Sequence, residues 1–506
     1  MSDNRGRDLD YRFPAGVAGA LVAAVAVRAW GLGAEPFDVE EVYELVSRTT
    51  NLRELADRQD SFPPLTRWLF ACWVELFGEG AARWFSVAAG VAAVAATAWL
   101  GRLVAGARAG VAAAWMAALS APHVFTSQSA RPYALYLLTG TLALAAAWRL
   151  PQRGGARDWF WFAAASWLAL ATHYYAALLI AVLFALVFLS TNGAGRRRAV
   201  AAGALFSLAC LPLAYCLQVD RGRPQLDYLT AKFDAEVLAY TYLTLVSGEA
   251  LGPPMNALRE MTPAAGVQAM APWALPVAAT LGVLAWLAAR RLPRTDTAWV
   301  VVLLIAPPAL AAVAALASPT GYTPRYLVWM LPVLLVGVAA AAAGGGRVAR
   351  VATALFVLLS LLAIGNRRLD PAYRIDGFDR VAAILVGADE GAPILTAPRY
   401  FGRAVDYHFG KEHAVTRAPI EPGTPHDWSE ELAAVEAAAD RHGGPEYWVV
   451  VQHFPQDDAR RGVRDAWLER LGAKHVERVT WTIDVYRAPT AKLKSRAAVP
   501  TVPSGR

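Results

Sequence analysis

A polytopic helical membrane protein with a small soluble domain at its C-terminal end is the architecture this sequence predicts, on three observations. The 506 residues are 56% hydrophobic and only 18% charged, with a mean hydropathy of +0.33, which is poorer in charge than a soluble protein. The apolar residues come in blocks long enough to cross a hydrocarbon core of ~30 Å, which takes about 20 residues. The arginines gather in the short polar stretches between alternate blocks, as cytoplasmic loops of membrane proteins do. The net charge of +7, from 48 Lys+Arg and 41 Asp+Glu, is therefore a topology signal and excludes nucleic acid as a partner. Cys72, Cys210 and Cys216 are scattered, so no disulfide framework or metal-ligand spacing is implied.

The elements follow in order. The N-terminus, with Arg5, Arg7 and Arg12, starts in the cytoplasm, and the first block (13–32) reads as an uncleaved anchor. Residues 33–82 form an outer loop with two amphipathic helices expected on the membrane surface, over 38–50 and 64–77. The second span (84–104) returns to Arg102 and Arg108, and the third leads out to His123 and the stretch ending in Arg131-Pro132-Tyr133. The block 159–189 divides at Thr172-His173-Tyr174-Tyr175 into two short helices meeting outside. Arg196-Arg197-Arg198 marks the cytoplasm again, and 219–271 is a second outer loop. Arg290-Arg291, then Tyr322 to Tyr326, then Arg347 and Arg350 complete the alternation.

The count is about eleven transmembrane helices over 1–365. Arginine clusters lie on one side and the unusual polar loops on the other. From about Asn366 the composition becomes that of a soluble protein. Residues 393–396 and 447–451 read as buried strands, 430–440 as an amphipathic helix, and 476–486 as an edge or hairpin strand. This predicts an α/β domain over 366–490, outside the membrane, followed by a disordered tail at 491–506.

The outer loops hold the candidate chemistry. Asp38 before Val39-Glu40-Glu41 reads as a capping box, with Asp38 as N-cap, Glu41 closing the box, and Phe37 with Val42 as hydrophobic staple. That uses two acids of three and leaves Glu40. The same face carries Arg58, His123, Gln128, Arg131, His173, Tyr174, Tyr322, Arg325 and Tyr326. Carboxylates and arginines at headgroup depth suit transfer from a lipid-phosphate-linked sugar. An arginine fork stabilises the phosphate as leaving group, and a carboxylate takes the proton of an attacking hydroxyl.

Plainer readings stand beside these. Arg28, Arg131 and Arg325 also read as interface anchors, His173 as a helix-end histidine, and Tyr136, Tyr174 and Tyr175 as belt aromatics. His408 and His413 have loosely metal-like spacing with no third ligand. No cofactor is implied; a divalent metal is compatible with the acids but not indicated.

Arg28-Ala-Trp-Gly-Leu-Gly followed by an acidic pair resembles the start of the bacterial family 39-like glycosyltransferases. These are GT-C fold enzymes related to protein O-mannosyltransferases and aminoarabinose transferases. Ser61-Phe62-Pro63-Pro64-Leu65 resembles their His-Pro-Pro-Leu element, and Ser129-Ala130-Arg131-Pro132-Tyr133-Ala134-Leu135-Tyr136 their Ala-Arg-x-Tyr-x-Leu stretch. His173-Tyr174 and Pro324-Arg325-Tyr326-Leu327 also have counterparts. The likeness runs over about 25–340. The sequence departs from it twice, with Glu40-Glu41 for the usual Asp-Glu and Phe62 for the usual His.

The resemblance implies a GT-C architecture in the bacterial inner membrane, with the N-terminus cytoplasmic and the C-terminal domain periplasmic. It implies inverting transfer from a polyprenyl-phosphate sugar to a glycan, lipid or protein acceptor. Glu40 is then the base, with Asp38 and Glu41 beside it. Arg131, Arg325 and Arg28 hold the donor phosphate, and His173, Tyr174, Tyr322, Tyr326 and Arg58 line the pocket. The rival expectations are a lipid or sugar transporter or flippase, and an inactive membrane scaffold.

Overall fold

The computed structural model describes residues 3–57, 62–152, 154–221, 235–254, 257–258, 261–317, 324–373, 377–386, 392–397, 401–417, 437–438, 440–452, 465, 468–469, 471–479 and 483–490. They divide into two compact units: 1–32, 48–252 and 270–369 form the first, and 33–47, 253–269 and 370–506 the second.

The first unit is helical. Its elements are α1 (Asp3–Ala29), α3 (Leu52–Asp57), α4 (Pro64–Phe77), α5 (Ala82–Ala105), α6 (Ala107–Leu119), α7 (Ala121–Gln128), α8 (Tyr133–Arg149), α9 (Ala156–Thr172), α10 (Ala176–Ser190), α11 (Ala194–Ala209), α12 (Leu211–Arg221) and α13 (Ala235–Ser247). Then come α14 (Pro263–Ala289), whose first residues fall in the second unit, α15 (Arg294–Ala317), α16 (Met330–Ala342) and α17 (Arg347–Leu369).

Small residues let the central helices approach closely. A Cβ on Gly110 would meet the Ala98 carbonyl at 2.7 Å, and one on Gly101 the Ala113 Cβ at 3.0 Å, so α5 and α6 touch backbone to backbone. Indoles and ion pairs tie the neighbouring helices. Arg149 bonds Asp158 at 3.0 Å across the α8–α9 turn, and the Trp299 indole N–H on α15 donates to Ser190 at the end of α10 at 3.0 Å. Large apolar side chains such as Val301, Ile305, Leu316, Val351 and Leu358 are exposed, as on a surface whose solvent is lipid.

This is a multi-pass membrane protein. Among the described residues four helices are long and apolar enough to cross a bilayer: Glu79–Ala105, Ala264–Ala289, Arg294–Leu316 and Arg347–Leu369. The bent pair of α6 with α7, taken as one broken span, brings the number to five. Eleven were expected from the sequence. Part of the difference lies in apolar helices shorter than ~20 residues, among them Phe13–Ala29, Ala176–Ser190 and Met330–Ala342. The expected division at 172–175 falls between α9 and α10, and the expected helix over 64–77 is α4.

The second unit is α/β. Its strands are β1 (Ile394–Ala397), β2 (Val415–Arg417), β3 (Glu446–Gln452), β4 (Lys474–Arg478) and β5 (Ile483–Pro489). They form one sheet in the order β2-β1-β3-β5-β4. β1 lies parallel to β2 and β3, while β5 runs antiparallel to β3 and β4. The stretch expected as an edge or hairpin strand is the β4–β5 hairpin. The sequence reading lacked β2 and two helices, α18 (Phe378–Val386) and α19 (Phe401–Phe409). The expected helix over 430–440 falls mostly, and the expected tail over 491–506 wholly, outside the described residues.

The outer-loop helix expected over 38–50 is present in part. It is the shorter α2 (Val39–Val46), and it belongs to the second unit. Its apolar stripe is used up inside a protein core, since Val39 and Val42 are buried among Phe378, Val381, Phe401, Val405, Trp448 and Val485. His408 ties the entry to this helix, its Nε2 lying 2.9 Å from the Phe37 carbonyl oxygen.

Candidate active site

In the second unit, α2 begins as its sequence requires. The Glu41 backbone N–H donates to Asp38 Oδ1 at 2.7 Å, and the Asp38 N–H donates to Glu41 Oε2 at 3.0 Å. The reciprocal capping box is complete. Glu41 is 2% exposed and Glu44, which the sequence reading passed over, is also buried. Asp38 and Glu41 are thus committed to the helix start, and Glu40, half-buried, is the acid the box does not use.

In the first unit, a cluster of rings gathers around His173, in the turn between α9 and α10. His173 is 2% exposed. Its ring stacks on Tyr136 at 4.6 Å and meets Phe62 at 5.3 Å, Tyr326 at 5.0 Å, and Tyr133 and Tyr175 at 5.9 Å each. The Tyr175 backbone N–H donates to His173 Nδ1 at 3.2 Å, so the ring proton sits on Nε2. Burial, and then the Arg131 charge, lower this imidazole to about 3. It is a neutral N–H donor.

The Arg131 guanidinium lies 5.7 Å from the Phe62 ring centroid and 5.5 Å from that of Tyr133, within cation–π range, and the residue is 9% exposed. Its backbone carbonyl is held by Ser86 Oγ at 3.3 Å. Phe62 enters from the start of α4, which is fixed by Thr66 Oγ1 donating to the Thr172 carbonyl at 3.3 Å. Arg325 is exposed and shares a 3₁₀ turn, Pro324–Leu327, with Tyr326.

The expected residues therefore fall in several places. Arg131, His173 and Tyr326 come together in the first unit, and Arg325 adjoins them in the chain. Tyr174 is half-buried in the same turn as His173. Asp38, Glu40 and Glu41 share the second unit. Arg58 and Tyr322 lie outside the described residues.

Tyr136, expected in an aromatic belt, is fully buried instead: its ring is the platform under His173. Arg28 is 0% exposed. Nη1 donates to the Ala24 and Ala118 carbonyls at 3.0 and 3.2 Å, and Nη2 to Ala117 O at 3.1 Å and His123 Nδ1 at 2.8 Å.

His413 Nδ1 lies 2.8 Å from the Ala392 carbonyl oxygen, and His408 faces Phe37 as described above. Among the described residues no three His, Cys, Asp or Glu gather to hold a metal. The sequence reading missed Tyr133 and Phe62 as ring partners. Phe62 was visible only as the residue standing where a histidine was expected.

The whole chain aligns with ArnT from Cupriavidus metallidurans in the apo state, at 16% identity and a TM-score of 0.53, covering 96% of this chain and 98% of that one. The fold is GT-C. The same protein bound to undecaprenyl phosphate aligns at 16% identity and a TM-score of 0.50, over 96% of this chain and 99% of that one. No family model matches the sequence, and no curated protein does.

Proposed function

We propose that this protein transfers a sugar from a polyprenyl-phosphate-linked donor to an acceptor hydroxyl, with inversion, on the periplasmic side of a bacterial inner membrane. The observation that carries the reading is Arg131, a largely buried guanidinium on two aromatic rings beside the neutral N–H of His173. A planar cation with a fixed orientation is the group suited to receive phosphate bidentately. The GT-C fold supports it, and an ArnT with that fold has been seen bound to undecaprenyl phosphate.

In this reading Glu40 takes the proton from the acceptor hydroxyl as its oxygen attacks the anomeric carbon. The bond from that carbon to the phosphate oxygen breaks, and both electrons leave with the phosphate. Arg131 and Arg325 stabilise the departing anion. No general acid is required, because phosphate leaves as an anion. Acceptors of the glycan, lipid or protein class all supply the hydroxyl.

The test is purified protein in nanodiscs with polyprenyl-phosphate sugars, assayed by mass spectrometry for released polyprenyl phosphate. Comparison of envelope glycans with and without the gene identifies the sugar and acceptor. Release that depends on acceptor and is lost in Glu40→Gln supports the reading. Passage of intact donor across vesicles without cleavage favours a flippase, and neither outcome favours an inactive scaffold.

A further inference from the structure

Arg28 is a fully buried guanidinium whose four hydrogen bonds go to three carbonyls and a histidine. Such a charge is costly to bury, so its partners show what it is for. The backbone explains them. Pro122, at the start of α7, has no N–H to return to the Ala118 carbonyl four residues earlier, so the helix breaks there. The chain turns through 57° between α6 and α7. The break leaves the last carbonyls of α6 without helical donors inside an apolar bundle. Arg28 supplies two of them, at Ala117 and Ala118.

The far end of α7 returns the favour. Gln128 Nε2 donates to the Arg28 carbonyl at 2.8 Å and is near those of Val27 and Trp30, at 3.4 and 3.3 Å. The end of α1 therefore caps α6, and the end of α7 caps α1. Three residues beyond Gln128 stands Arg131.

We infer that Arg28 and Gln128 form a reciprocal latch between α1 and the bent α6–α7 pair whose task is to position Arg131. Both are positioning residues, and neither touches the donor. This rests on the reading of Arg131 as a phosphate ligand, and the experiment separates the two.

Arg28→Lys, Gln128→Ala, Arg131→Lys and the two double variants with Arg131→Lys are made in the full chain in nanodiscs. Undecaprenyl phosphate affinity is measured for each, with hydrogen exchange of the 129–133 amides. Gln128→Ala removes only a partly buried amide, so it keeps the test alive should Arg28→Lys fail to insert.

The single latch variants should weaken binding by roughly 2- to 12-fold, the equivalent of one net hydrogen bond. Exchange at 129–133 should quicken. Each double variant should bind no more weakly than Arg131→Lys alone, because the latch acts only through that arginine. Losses that multiply, or unchanged exchange at 129–133, overturn the latch. Wild-type binding by Arg131→Lys overturns the phosphate reading instead, and exchange alone then decides the latch.

Discussion

The three acids at the start of α2 have different work, and single substitutions separate it. Asp38 and Glu41 satisfy each other's backbone N–H groups, an arrangement in which each cap is typically worth ~1 kcal/mol. Glu40 does not take part. In the proposed mechanism Glu40→Gln lowers transfer about 10²–10⁴-fold, the usual range for a lost general base, with little loss of melting temperature. Asp38→Asn and Glu41→Gln retain activity because both amides still cap, and Glu40→Asp retains it too. An inactive Asp38→Asn beside an active Glu40→Gln would transfer the base to Asp38.

For the cations, Arg131→Lys and Arg325→Lys keep charge but lose the fork. Turnover should fall about tenfold, or ~1.4 kcal/mol, in protein that still inserts; wild-type turnover in both would make them interface anchors. His173 adds a pH effect of known sign. Its pKa is lowered on folding from 6.5 to about 3. The unfolded chain therefore binds the extra proton between those values, and stability falls as pH drops below about 6.5. Melting curves at pH 7.5 and 5 should differ less in His173→Gln than in the wild-type protein.

At the scale of elements, legibility in the sequence follows the range of the interaction. The capping box spans three residues, and Pro63-Pro64 starts α4 where the sequence says it must, because both signals are local. The ring cluster was not legible as a cluster, since Phe62, Tyr136, His173 and Tyr326 come from four separate segments. What Arg28 touches was hidden for the same reason: its carbonyl partners on α6 lie 89 and 90 residues away. β2, three residues long, is too short to leave a pattern.

Helix contact is predictable once the glycines are placed. Gly110→Val should destabilise the α5–α6 pair by about 1–3 kcal/mol, as overpacking does, because its Cβ would meet Ala98 O and Phe13. Gly266→Ala meets nothing within 4 Å, so detergent melts of the two variants should diverge.

The whole molecule is tested by its sidedness. In a variant lacking Cys72, Cys210 and Cys216, single cysteines at Gly154 and Gly195 should be shielded from an impermeant thiol reagent in spheroplasts. Cysteines within 33–57 and on β4 should be labelled. Labelling at Gly195 would invert the proposed topology and carry the acids to the cytoplasm.

The division into units matters here too. The sequence boundary near Asn366 is within a few residues of the structural one at Leu369, because composition changes there. That 33–47 joins the second unit is invisible to composition, since only the packing of Val39 and Val42 reveals it.

That packing sets a clock on the folding of the second unit. Phe37 and His408 are 371 residues apart in sequence. At about 5–20 residues per second the ribosome needs roughly 20–75 s to travel from one to the other. Throughout that interval the segment bearing Asp38, Glu40 and Glu41 has left the ribosome without the hydrophobic partners that hold it. A chain halted after α17 would carry every helix of the first unit and still leave its acids unorganised. In the proposed mechanism the segment bearing the acids is therefore packed into its hydrophobic core only after the ribosome has passed His408.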